Sequence, residues 1–336
     1  MSTGPDAGLL EHHLRQRGVP VVGPLTVERI PGGRSNETYR LSDGAHRWVF
    51  RRPPVAGQTA SAHDVAREAR VTRALEPTRV PVPPVISLDE DAGVMGSPFT
   101  VTTWIDGMVI RDRAELERIP DADLPAVCGS LIDVLVELHD LDPAALGLES
   151  FGRPRGFIRR QVALWRRQWE QVKTRDLRDL ERLHARLEDR IPESIDAAVL
   201  HGDYRIDNVI LDPVDPSRLL AVLDWELSAL GDPRTDVALM CTYRHPALDA
   251  ILGMPAAWAS ERLPCAEALA NAYVERSARD LGDWPFYLGL AHLKLAVIAE
   301  GIAYRAGAGA DSGRNARAAA DAVPELIAEG LVHLRR

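Results

Sequence analysis

The feature that most restricts how this chain can fold is the stretch HGDYRIDNVILD at residues 201–212. A carboxylate, Asp203, is followed five residues later by a carboxamide, Asn208, at the entrance to an apolar run. A turn, PVDPS, and a second apolar run, RLLAVLDWE, come next and end at Asp224 and Glu226. Two short strands joined by a tight turn bring the chain back to its starting end. The spacing therefore predicts Asn208 and Asp224 at one end of a hairpin, with Asp203 just before it. An amide oxygen and a carboxylate there make a hard oxygen donor set, suited to Mg²⁺ with its waters and a phosphate chain. Asp203 would stand beside that cation, free to accept a proton. In the plainer alternative, HGD is a turn and Asp224 a helix cap. Asp236, in GDPRTDVA, precedes a helical pattern and is expected to cap it by accepting free N–H groups.

The sequence on either side of this hairpin differs in period. LTVERI, ETYRLS and HRWVFRR alternate and are separated by PGGRSN and DGA, which reads as a small antiparallel sheet. SPFTVTTWIDG adds a strand, VPVPPVISL is held extended by its prolines, and HDVAREARVTRALE has helical spacing. From LPAVCGSLIDVLVELHDL onward the helical period dominates, through FIRRQVALWRRQWEQVK and DLRDLERLHARLEDR, and again from about residue 235 to the end. The fold expected is α+β with two lobes, a small antiparallel β-sheet lobe over residues 1–104 and a larger, mostly helical lobe over 105–336.

Composition narrows the function classes. A hydrophobic content of 46% is enough for a core, and a net charge of −9 argues against a nucleic-acid partner. No apolar stretch is read as approaching the ~18 residues of a membrane span, so none is expected, and Met1–Leu10 has no signal-peptide pattern. Cys128, Cys241 and Cys265 form no CxxC and are read as reduced core thiols of a cytoplasmic protein. Of 40 basic residues only Lys173 and Lys294 are lysines, so elsewhere any task for a basic side chain falls to arginine.

Taken together, HGDYRIDNVILD and LDWELSALGDPRTDVA resemble the aminoglycoside phosphotransferase and choline kinase superfamily, which has a protein-kinase-like fold. GGRSNETYRL is similar to its nucleotide loop, WVFRRPP to its third strand, REARVTRAL to its regulatory-type helix and SPFTVTTWIDG to its hinge. RGFIRRQVALWRRQW and AEGIAYRAGAG resemble one branch most, the kinase-like domains fused to acyl-CoA dehydrogenases and their free-standing relatives. The resemblance implies a small-molecule kinase using ATP, or GTP, with Mg²⁺. It makes Asp203 the base toward a substrate hydroxyl, Asn208 and Asp224 the metal holders, and Glu226 either a further metal ligand or a surface carboxylate. His201 would brace the loop. Gly33, Ser35 and Asn36 would approach the nucleotide phosphates, and Thr102 and Trp104 would line the hinge.

Two departures from the pattern matter. The loop Gly32-Gly33-Arg34-Ser35-Asn36 is not the G-x-G-x-x-G of protein kinases, and the third strand has no lysine. Arg51 stands in the lysine's place. Alternation from Val49 puts it, rather than Arg52, on the face toward Glu68, and a guanidinium can bind phosphate through its planar fork.

The function expected is a kinase acting on a small-molecule hydroxyl, with a nucleotide and that acceptor as partners, and neither nucleic acid nor membrane. The alternatives are a pseudokinase-like nucleotide-binding module and a true aminoglycoside antibiotic phosphotransferase. A protein kinase is disfavoured because Asp224 to Asp236 is too short for a peptide-docking activation segment. Six arginines, Arg153, Arg155, Arg159, Arg160, Arg166 and Arg167, lie on or just before a helix expected to flank the acceptor. They favour an anionic acceptor such as a hydroxyacyl-CoA, unless they form a solvated face balanced by Glu170, Asp176 and Asp179. The sequence carries no signature of oligomeric state.

Overall fold

The computed structural model describes residues 4–31, 36–54, 64–193, 197–309 and 315–335. Contacts divide the chain into two units. One is Met1–Gly107 with Leu220–Ser228, and the other is Met108–Leu219 with Ala229–Arg336. The sequence reading, with its boundary at residue 104, assigned all of 220–228 to the helical part. This segment joins the first unit because the Val222 N–H donates to the Pro81 carbonyl at 2.7 Å and Arg67 reaches the Ser228 carbonyl at 3.1 Å.

The first unit runs α1 (Ala7–Gln16), β1 (Thr26–Arg29), β2 (Glu37–Ser42), β3 (Arg47–Arg52), α2 (Val65–Leu75), β4 (Val85–Asp89) and β5 (Phe99–Thr103). The strands form one antiparallel sheet in the order β1-β2-β3-β5-β4. Register fixes what each face carries. Arg51 lies opposite Thr38 and Thr100, and Val49 opposite Arg40 and Thr102, so all six share one face. The other face presents Tyr39, Leu41, Trp48, Phe50, Phe99 and Val101, which form a core with Leu10 and Leu14 of α1. Both leucines are fully buried, which is worth roughly 1.5–3 kcal/mol each. The sequence reading did not foresee α1. Its signals are short: Asp6 accepts the Leu9 N–H at 3.0 Å as N-cap, and two leucines four apart make its stripe. In α2, Asp64 caps the start by accepting the Arg67 N–H, and Val65, Glu68, Ala69, Thr72 and Leu75 are all buried. Helical spacing thus carries Glu68 inward with the apolar stripe.

The second unit contains α3 (Arg113–Leu116), α4 (Leu124–Asp140), α5 (Phe157–Val172), α6 (Arg178–Asp189), β6 (Ala198–Leu200) and β7 (Val209–Leu211). β8 (Leu219–Val222) then leads the chain into the first unit. After its return come β9 (Ala229–Gly231), α7 (Arg234–Thr242), α8 (Ala247–Leu252), α9 (Ala266–Ser277), α10 (Trp284–Gly307) and α11 (Ala316–His333). The turn after β7 closes with the Asp212 N–H on the Arg218 carbonyl. β6 pairs antiparallel with β9, Ala198 opposite Gly231 and Leu200 opposite Ala229, an element the sequence reading missed because three residues are too few to show a period.

The centre of this unit is α10, which packs on α5, α7 and α11. It corrects the membrane reading: by length and composition α10 is apolar enough to cross a bilayer. Counting uninterrupted runs hid it, because His292, Lys294 and Glu300 punctuate the helix. Its most apolar window is 78% buried within the protein, as expected of a core helix that is hydrophobic all round. Glu300 is fully buried and accepts from the Thr174 N–H at 2.9 Å, the Thr174 hydroxyl at 2.6 Å and Arg175, tying the loop after α5 to α10. The thiol reading is corrected in part: Cys128 and Cys241 are buried, but Cys265 is exposed.

β9 meets α5 at its closest at Gly231, where a Cβ would lie 2.5 Å from the Phe157 ring. Gly231→Ala is therefore expected to force the ring and the start of α5 outward, at a cost of about 1–3 kcal/mol. Equilibrium urea unfolding checks this through a lowered midpoint.

Candidate active site

The residues expected to carry chemistry fall in both units, and each set is described within its own unit. In the first unit the central group is Arg51. Its Nη1 donates to Glu68 Oε1 at 2.6 Å and its Nη2 to Asp224 Oδ1 at 3.0 Å. Alternation along β3 puts Arg52 on the opposite face, where it bonds Glu37 at 2.8 Å and lies over the Tyr39 ring. Burial disfavours the Arg51 charge, but the Glu68 and Asp224 carboxylates more than offset this and hold its pKa above the usual value. Burial raises the Glu68 pKa despite the guanidinium beside it. Arg51 Nε has no hydrogen-bond partner among the described residues, which leaves donor capacity for an anion.

Asp224 has φ 67° and ψ 59°, a left-handed conformation that a non-glycine residue adopts only under constraint. Such strain costs of order 1–3 kcal/mol and is held by surrounding contacts, here the Arg51 bridge and the turn Trp225–Leu227 that follows. Glu226 lies in that turn and contributes to the field that keeps Arg51 charged. Asn36 is buried at the start of β2, and both polar atoms of its amide are without a partner among the described residues. Gly33 and Ser35 lie outside the described residues. Thr102 shares the Arg51 face of the sheet. Trp104 is engaged elsewhere: its N–H donates to the Arg47 carbonyl, its Nε1 to Asp106 at 3.0 Å, and Arg40 and Arg47 lie over its ring.

In the second unit the HGD loop follows directly from β6. Gly202 has φ 84°, a conformation that excludes most side chains. The loop backbone is held by Asp236, whose carboxylate accepts the His201 N–H at 2.6 Å and the Gly202 N–H at 2.8 Å. Burial pushes the Asp236 pKa up, but His139, His201 and these N–H groups together bring it below the ordinary value. The expected capping role is thereby corrected. α7 begins at Arg234, so Asp236 is already inside its first turn, and Asp232 accepts the Arg234 N–H instead. His201 is fully buried, and its Nδ1 accepts the Asp203 N–H at 3.1 Å.

Asp203 is surrounded by donors. Arg205 Nε reaches Oδ1 at 3.2 Å and Nη2 reaches Oδ2 at 3.0 Å, while Asn208 Nδ2 donates to Oδ2 at 3.0 Å and to the Asp203 carbonyl at 2.7 Å. The Tyr243 hydroxyl also bonds this carboxylate. Burial alone would raise the Asp203 pKa, but the charge and hydrogen bonds of Arg205, the Tyr243 hydroxyl and the Lys294 charge bring it below the usual value. Arg205 is itself clamped by Asp207 at 3.0 Å and stacked 5.0 Å from the centre of the Tyr243 ring. With Nδ2 committed to Asp203, the Asn208 amide has its oxygen left for a cation. Asn208 belongs to the second unit and Asp224 to the first.

Sequence reasoning missed several residues. Arg205 is inside the quoted motif, two residues after Asp203, and could have been found there. Tyr243, His139 and the anchoring role of Asp236 come from distant segments with no local pattern. The arginine-cluster argument weakens: Arg166 pairs with Glu170 and Glu181, and Arg160 donates to the carbonyls of Arg153 and Arg155.

The Arg51 bridge generates a stability prediction. Arg51→Ala leaves Glu68 buried and unpaired and is expected to cost about 3–5 kcal/mol. Adding Glu68→Gln should recover part of that loss. Thermal unfolding of the two single variants and the double variant checks it, and strictly additive losses would show no coupling.

Residues 26–285 match the model of the phosphotransferase enzyme family. Acyl-CoA dehydrogenase family member 11 of Rattus norvegicus is 32% identical over 332 residues, covering 97% of this chain and 42% of that protein. The chain spans less than half the length of the curated relatives it matches. A crystal structure from Ralstonia eutropha, of a protein assigned as an aminoglycoside phosphotransferase, is 31% identical with TM-score 0.83 and 99% of each chain covered. An aminoglycoside phosphotransferase solved with ADP and hygromycin B shares the fold at TM-score 0.63 and 16% identity, over 97% of each chain. Matched over most of its length by the family model, this chain belongs to the phosphotransferase enzyme family.

Proposed function

We propose that this protein is a Mg²⁺-dependent small-molecule kinase that transfers the γ-phosphoryl group of ATP, or GTP, to a substrate hydroxyl. The observation that carries the reading is the Asn208–Asp203 bond, which ties a metal-type oxygen donor to a candidate base within one loop. The residues fit the group they would hold. Asn208 Oδ1 in the second unit, and Asp224 and Glu226 in the first, are each oxygen ligands of the kind Mg²⁺ prefers, and Arg51 and the orphaned Asn36 amide offer donors to phosphate oxygens. When bound, the metal neutralises charge on the β- and γ-phosphoryl oxygens.

The chain's own residues supply the rest. Asp203 orients the acceptor hydroxyl and takes its proton as the new P–O bond forms. Four donors hold Asp203 ionised and make it a weak base, which suits a loose transition state in which positioning outweighs proton abstraction. Asp236 fixes the loop that carries it. For the acceptor we favour a hydroxyacyl-CoA, because the matched relatives are named acyl-CoA dehydrogenase family members and this chain corresponds to only part of their length. Cytoplasmic residence belongs to the same proposal. One observation favours the second reading, a nucleotide-binding module of weak turnover: Arg51 already engages Asp224.

Release of ADP with Mg²⁺ and a panel of hydroxyacyl-CoAs, aminoglycosides, choline and sugars separates these readings. Asp203→Ala is expected to lower kcat by ~10²–10⁴ with nucleotide binding retained, and Asp224→Ala to abolish Mg²⁺-dependent turnover. Wild-type rates in both variants on a validated acceptor would refute the kinase assignment.

A further inference from the structure

Lys294 lies in the middle of α10, the buried apolar helix at the centre of the second unit. A cation in such a place must be engaged, since an unpaired buried charge is costly. Its Nζ donates to the Gly202 carbonyl at 3.0 Å, one residue from Asp203, and sits 5.6 Å from the centre of the Trp165 ring on α5. Among the described residues that carbonyl is its only hydrogen-bond acceptor, and an ammonium has three N–H donors.

The neighbouring carboxylates take their hydrogen bonds from other groups. Asp203 is satisfied by Arg205, Asn208 and Tyr243, and Asp236 by the His201 and Gly202 N–H groups and His139. Lysine is also an exceptional choice in this chain, where it fills two of 40 basic positions. The other, Lys173, makes an ordinary surface pair with Glu170 and Asp176. An ammonium is a compact point donor, whereas the arginine fork is longer and demands two acceptors. Burial works against the Lys294 charge, which Asp203 and Asp236 support only in part. A further oxygen partner would relieve that cost.

We propose that Lys294, held over the Trp165 ring beside the Asp203 loop, reads an acyl oxygen of the acceptor, a carboxylate or a thioester carbonyl close to the phosphorylated hydroxyl. The inference rests on the kinase reading and names the specificity-determining residue within it.

The test uses the full chain with MgATP and three matched acceptor sets of four to eight carbons: hydroxy acids, their CoA thioesters, and diols with hydroxymethyl in place of the carboxyl carbon. The wild-type protein should prefer a carboxyl-derived set. Lys294→Met, similar in length but uncharged, should lower the kcat/KM ratio of that set over the diols roughly 10- to 100-fold, the scale of one charge-assisted hydrogen bond. The change should fall mainly on acceptor KM, with KM for MgATP unmoved, and Lys294→Arg should recover part of the ratio. Which set is preferred, free acids or thioesters, distinguishes the carboxylate from the carbonyl. Equal losses on all three sets, or a raised KM for MgATP, would overturn the proposal and leave Lys294 a brace for Gly202. So would a wild-type protein that phosphorylates other alcohols and ignores both carboxyl-derived sets. Failure to turn over MgATP with any alcohol would instead bring down the kinase reading, and this inference with it.

Discussion

Two backbone N–H groups held by one buried carboxylate set the geometry of the second unit's chemistry. Asp236 accepts from His201 and Gly202 across 35 and 34 residues of sequence. That pair of bonds keeps Gly202 at positive φ, and the turn at Gly202 presents Asp203 to its donors. His139 and, through it, the Tyr273 hydroxyl extend the network into α4 and α9. A buried carboxylate this well satisfied makes a rigid support, because every donor lost would leave a desolvated charge behind.

The first unit uses the same device with the charges reversed. There a guanidinium, Arg51, is the shared partner, and two carboxylates from α2 and from the segment after β8 converge on it. The bridge explains why residues 220–228 belong with the sheet, and it helps keep Asp224 in its left-handed conformation. Arginine can do this because its fork offers separate nitrogens to separate carboxylates. A lysine there would have to share one nitrogen between them.

Asp203 and Lys294 show how the surroundings of a site bear on specificity. Asp203 is made a weak, fixed base by Arg205, Asn208 and Tyr243. Lys294 adds a positive charge next to that loop and also favours the ionised Asp203, while its hydrogen bond goes to the Gly202 carbonyl. On this reading, acceptors that bring an acyl oxygen are favoured over acceptors that lack one.

Much of this was legible in the sequence because it is local. Period-two alternation gave the strands and put Arg51 and Arg52 on opposite faces. Helical spacing gave α2, α4, α5 and α6, and the Asp203–Asn208 spacing sets their bond within a single loop. What the sequence missed fails for stated reasons. β6 and β9 are three residues each, too short to carry a period. Helix was expected across α10, but its apolar length was not, because Lys294 and Glu300 interrupt it and are engaged by Gly202 and Thr174. Besides Asn208, the residues that bond Asp203 or act on its loop come from positions 205, 236, 243 and 294, and except for Arg205 no local pattern links them to it. The sequence by itself determined most of the longer elements and the identity of the candidate catalytic groups, since propensity and spacing act over a few residues. Only the tertiary structure decided their protonation bias and their orientation, because burial and charge pairing depend on which distant segments are packed together.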